Sequence, residues 1–189
     1  IIGLLVLVCL VAVQTGQAQV IINEVLYDPM GIDTGLETVE LINAGVSPIM
    51  MDGYELKLAD SNYYAFQSFT LNAGARVIVH NNTTGENTDT ELFTGPLSNM
   101  GNTRGSVAVF SGAHSSGNII DYMQYGSGGE QWESAAVNAG IWSTDDFAID
   151  VEEGNSLNLD PDGVDNNLST DWAECLPSPL LPNCGATIT

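Results

Sequence analysis

The chain runs to 189 residues, enough for one domain plus a targeting segment, and carries 24 acidic residues against three basic ones for a formal net charge of −21. Such a field repels nucleic acid, whose binding rests on Lys and Arg neutralising phosphates, and it repels anionic lipid headgroups, while divalent cations and neutral or cationic partners stay open. Hydrophobic residues make up 44% and are spread along the chain, which excludes wholesale disorder and suffices for a self-standing core.

Ile1 to Val13 is an uninterrupted apolar stretch, too short to cross a bilayer as a helix and suited to a signal-peptide core. Gly16-Gln17-Ala18 then supplies small residues where a signal peptidase reads. Residues 1–18 are therefore expected to be a signal peptide, clipped at its start because neither Met nor a basic segment precedes Ile1. Residues 19–189 form the expected mature domain. The leader has no charged side chain, so every charge falls on that domain, whose only bases are Lys57, Arg76 and Arg104.

Helical periodicity is almost absent, and short runs of β-formers recur between turn residues. Val20–Leu26, Glu37–Asn43, Tyr54–Leu58, Tyr64–Leu71, Arg76–His80, Ser106–Ser111, Ile119–Tyr125 and Ser156–Leu159 are the predicted strands. Asp28-Pro29, Gly45 with Pro48, Asp52-Gly53, Asn72-Ala73-Gly74 and Gly126–Gly129 punctuate them. About eight strands with this spacing predict an all-β fold, a β-sandwich. Asn81–Thr103 and Gly126–Asp146 lack apolar residues for a core of their own and read as two long loops. Cys9 leaves with the leader. Cys175 and Cys184 remain as an even pair in an oxidising compartment, and a disulfide closing a short Pro-rich loop is expected.

Three stretches carry a resemblance. Val20-Ile21-Ile22-Asn23-Glu24-Val25-Leu26-Tyr27-Asp28-Pro29, Glu37-Thr38-Val39-Glu40-Leu41-Ile42-Asn43 and Met51-Asp52-Gly53-Tyr54-Glu55-Leu56 resemble the opening of a lamin tail domain as found in exported bacterial proteins. Thr70–Val79 is similar to the family's next characteristic stretch. Asn155-Ser156-Leu157, Asp160-Pro161-Asp162-Gly163 and Ser169-Thr170-Asp171-Trp172 look like its closing segment. Where members finish with Thr-Pro-Gly and a later Asn, this chain has Ser178-Pro179-Leu180-Leu181-Pro182-Asn183, without the glycine. The resemblance implies an immunoglobulin-like β-sandwich. Eukaryotic members sit on intermediate-filament proteins and contact chromatin, a contact that nothing in this acidic chain supports.

Five constellations are candidate sites. Asn158, Asp160, Asp162 and Asp165, ahead of and behind Gly163, resemble the first half of a calcium loop, since hard Ca²⁺ takes several oxygens and Gly permits the sharp turn. The twelfth position is Ser169 where a bidentate Glu belongs, and an Asx-type turn on an acidic surface is the alternative. Glu24 and Glu40 could be brought together by paired strands as two carboxylates of a glycosidase, or they are solvent-facing or hydrogen-bonded strand residues. Ser111, His114 and Asp121 lie close in sequence without an oxyanion motif. Trp132, Trp142 and Trp172, with Tyr122 and Tyr125, could form a stacking platform for sugars, or one or two anchor the core while the rest cover loops. Asn81-Asn82-Thr83-Thr84 and Asn167-Leu168-Ser169 are N-glycosylation sequons.

The sequence thus reads as a non-catalytic binding or scaffolding domain, secreted or at the cell surface, with a protein or glycan partner, no nucleic acid and no membrane span. A carbohydrate-binding module with a structural calcium ion is the alternative reading.

Overall fold

The computed structural model describes residues 20–58 and 62–185. The expected leader, residues 1–18, lies outside the described residues. Strands are built where β-branched and aromatic residues cluster. In chain order they are β1 (Val20–Leu26), β2 (Thr38–Asn43), β3 (Ile49–Met50), β4 (Glu55–Lys57), β5 (Tyr63–Ala65), β6 (Thr70–Leu71), β7 (Arg76–His80), β8 (Glu91–Phe93), β9 (Gly105–Phe110), β10 (Ile119–Tyr125), β11 (Ser156–Leu159) and β12 (Trp172–Cys175). One helix, α1 (Glu133–Ala139), lies between β10 and β11.

A six-stranded sheet in the order β12-β11-β1-β2-β7-β8 packs with a four-stranded sheet in the order β10-β9-β4-β5, and β3 pairs with β6 apart from both. All pairs are antiparallel except β7 with β8. The expected sandwich is therefore present. Its core draws on inward residues of both sheets, among them Ile22, Leu41 and Val79 on one side and Leu56, Val107 and Met123 on the other, all fully buried. Each such side chain contributes about 1.5–3 kcal/mol when fully removed from water. The ring of Tyr27 at the end of β1 stacks on that of Tyr125 at the end of β10, with centroids 3.8 Å apart. The Ile22 N–H of β1 donates to Asp121 Oδ2 of β10 at 2.5 Å, a polar stitch between sheets in an apolar layer. Burial, followed by the nearby Asp165, holds the Asp121 carboxyl well above the usual carboxylate range.

The sequence understated the strand number for local reasons. Tyr64–Leu71 is not one strand: Ser68 has φ 50, which turns the chain between β5 and β6. The Ser68 N–H donates to Asp52 Oδ1 at 3.1 Å, tying this corner to the Asp52-Gly53 turn. The Asn81–Thr103 loop carries β8, and the Gly126–Asp146 loop carries α1. Both loops are pinned by buried glutamates. Glu37 accepts from Asn81 Nδ2 at 2.6 Å and from the Met100 N–H at 2.8 Å. Glu133 accepts from Gln124 Nε2 at 2.7 Å and from the Asp145 N–H at 2.8 Å.

Candidate functional site

The Glu24–Glu40 pair is positioned by an irregularity in β1. Ile22 faces Leu41 and Glu24 faces Glu40, so Asn23 is an extra residue bulging from the ladder. The bulge sets two carboxylates directly opposite, which without compensation is destabilising. Compensation comes from the chain's closing segment, residues 178–183. The Ser178 N–H and Oγ–H donate to Glu24 Oε2 at 2.9 and 2.8 Å. The Leu180 N–H donates to Glu40 Oε2 at 2.7 Å, while Asn23 Nδ2 donates to Glu40 Oε1 at 2.8 Å and Arg76 Nε lies 3.3 Å from the same oxygen. Asn183 completes the strap, its Nδ2 donating to the carbonyls of Asn23 at 2.8 Å and Leu159 at 3.0 Å. A disulfide joins Cys175 and Cys184, one on each side of the strap, with Cα atoms 6.2 Å apart.

Both glutamates are only 3% exposed. Burial is the largest influence on each and pushes its carboxyl up. Ser178 draws Glu24 back down, and Asn23, Leu180 and Arg76 do so for Glu40. A general acid or base must reach a substrate proton within hydrogen-bond distance. Here the strap occupies that approach, so the pair holds backbone in place: the two are hydrogen-bonded strand residues, and burial under the strap rules out the solvent-facing placement.

The four residues of the calcium reading face different partners. Asn158, fully buried, donates through Nδ2 to Ser156 Oγ at 2.8 Å and accepts from Ser178 Oγ at 3.3 Å. Asp162 pairs with Arg76 and accepts from Asn23 Nδ2 at 3.0 Å. Asp165 accepts from the Asn167 N–H at 2.7 Å in an Asx-type turn and is hydrogen-bonded to Asp121. Asp160 is exposed, beside Gly185. Among the described residues no group of three or more His, Cys, Asp or Glu is placed to hold a metal ion.

Ser111, His114 and Asp121 do not assemble. His114 pairs through Nδ1 with Glu55, Ser111 Oγ donates to the Asn118 carbonyl at 3.4 Å, and Asp121 is enclosed between the sheets. The tryptophans divide. Trp142 is 5% and Trp172 8% exposed, and the Trp142 indole N–H donates to the Asp146 carbonyl at 2.7 Å, so both are core anchors, and Tyr122 and Tyr125 are buried in the core with them and offer no platform. Trp132 is half-buried, edge-on to Phe110 and His114, and borders a cleft of about 420 Å³. Of the sequon residues, Asn81 is fully buried and its amide is held by Glu37. The strap and Arg76 were missed as site elements. The available signal was a Glu inside each of two otherwise apolar strands, where a charge needs a partner.

A family model described as Lamin Tail Domain matches residues 14–164, which takes in β1 to β11 and ends before the strap. No curated protein matches the chain.

Proposed function

Because the chain belongs to the lamin tail domain family, we propose that it acts as an exported, non-catalytic binding or scaffolding domain, at the cell surface or outside the cell. The family is one of immunoglobulin-like interaction modules, and the fold is of that kind. The observation that carries the non-catalytic reading is the state of Glu24 and Glu40: the strand-paired carboxylates are buried under the strap and bonded to it. Export is supported by the apolar run Ile1–Val13 ahead of Gly16-Gln17-Ala18. Among the described residues no helix is long and apolar enough to cross a membrane. With three basic residues against 24 acids, the partner is protein or glycan in preference to nucleic acid.

The test is expression with a complete N-terminus, followed by protease treatment of intact cells. The protein should be degraded without lysis or recovered from the medium, with its N-terminus at or near Gln19. Protection until lysis, with Ile1 retained, would overturn the reading.

A further inference from the structure

The cleft beside Trp132 differs in chemistry from the rest of the surface. Its lining includes Phe110, His114, Asn118, Ile119, Trp132 and Asn138, and it contains no carboxylate. On a chain with 24 acids this is a local gap in the negative field. Behind it sits one of the three bases. Lys57 is 3% exposed, its Nζ 5.7 Å from the Trp132 ring centroid and 4.9 Å from that of Tyr63. Glu55, the acid that acts on Lys57, is engaged by His114 and is absent from the lining. A cationic ligand therefore finds no counter-charge in the cleft, and a divalent metal finds no oxygen cage.

Two further features select among the remaining ligands. Trp132 holds φ 72 and ψ −4, a left-handed conformation that L side chains adopt at a cost on the order of 1–3 kcal/mol. Glycine would relieve that strain, yet the largest side chain stands there, its ring packed at right angles to Phe110 and His114. The Asn118 and Asn138 side chains are exposed, and each amide offers a donor pair and an acceptor. An indole surface next to two uncharged amides matches a pyranose: apolar C–H faces lie against the ring while hydroxyls take the amide hydrogen bonds.

We propose that the cleft between β9–β10 and α1 binds a neutral glycan, with Trp132 as its platform and Asn118 and Asn138 as its hydrogen-bonding groups. This names the partner class of the exported binding domain and rests on that reading. The experiment takes the mature chain from Gln19 and an array of neutral oligosaccharides: glucans, mannans, galactans and N-acetylglucosamine oligomers. Hits are quantified by calorimetry. At least one class should bind, and Asn118→Ala and Asn138→Ala should each weaken it by about threefold or more at unchanged Tm. Trp132→Ala should abolish binding, and Trp142→Phe should leave it intact. Because Trp132→Ala can disturb packing, the two surface Asn variants keep the test decisive. No binding to any neutral glycan, unchanged binding in both Asn variants, or binding confined to peptides would each overturn the proposal. A glycan-blind protein that is nevertheless found outside the cell would sink the cleft alone. Retention inside the cell would sink the export reading.

Discussion

The backbone N–H of Leu180 donates to Glu40 Oε2 at 2.7 Å, joining two residues 140 positions apart in the chain. Through this bond and its counterpart from Ser178 to Glu24, the last segment of the fold is fastened to β1 and β2 near its start. An acidic pair that a reader of the sequence could assign to hydrolysis is thereby a clasp. The clasp has three independent parts: the two carboxylates, the Asn183 amide and the Cys175–Cys184 disulfide.

The disulfide closes a loop with a sequence separation of 9, and chain-entropy arguments give such a loop roughly 2–3 kcal/mol. Cys175→Ser with Cys184→Ser should therefore lower Tm by several degrees while leaving a cooperative transition, because the core lies elsewhere. Thermal melts with and without reductant test this. A reduced protein that fails to fold would show that the bridge carries the domain instead of stapling its end.

Glu37 gives a pH prediction. Burial, the largest influence, pushes its carboxyl from 4.5 up to about 7 in the folded protein, with Asp33 and Asp28 adding to the rise and Asn81 and Met100 opposing it. A group whose folded pKa is raised stabilises fully below its unfolded value, and that contribution is lost as pH climbs through the folded one. Between pH 4.5 and about 7 this group therefore costs the fold on the order of 3 kcal/mol. Glu37→Gln removes the titration, so its Tm relative to the unmodified chain should rise from pH 4.5 to pH 8. An offset that stays constant over that range would contradict the assignment.

The sandwich was legible because its strands are driven by runs of β-formers that show in local composition whatever the loops do, as in Val20–Leu26 and Arg76–His80, both largely buried. What escaped depends on contacts distant in sequence. β8 exists because Glu91–Phe93 lies parallel to Ile78–His80, and no local pattern announces that pairing. Residues 172–175 form β12 only against β11. The calcium spacing in Asn158–Asp165 is real as a pattern, but Asp162 is paired with Arg76 and Asp165 is bonded to Asp121, both remote in the chain. The exposure of a tryptophan is likewise a tertiary property, so Trp132 could not be separated from Trp142 by reading alone.

Calcium supplies a third prediction. To bind at the Asn158–Asp165 loop, the ion would have to displace Arg76 from Asp162 and part Asp165 from Asp121. Millimolar CaCl₂ should raise Tm no more than MgCl₂ or NaCl at matched ionic strength, since screening alone relieves self-repulsion in a chain of net charge −21. A calcium-specific rise that Asp162→Ala removes would show that the loop rearranges into a cage.

The central claim is that Glu24 and Glu40 hold the closing strap. Removing one acceptor from such a buried, charged set costs about 3 kcal/mol, but a Tm shift alone does not say which segment came loose. Amide hydrogen exchange does. In the unmodified protein the Ser178 and Leu180 amides should be protected to nearly the same degree as the core strands. Glu24→Ala should release Ser178 and Glu40→Ala should release Leu180, each by about tenfold or more, while β7 and β9 stay protected. Wild-type protection of both amides in both variants would contradict the account.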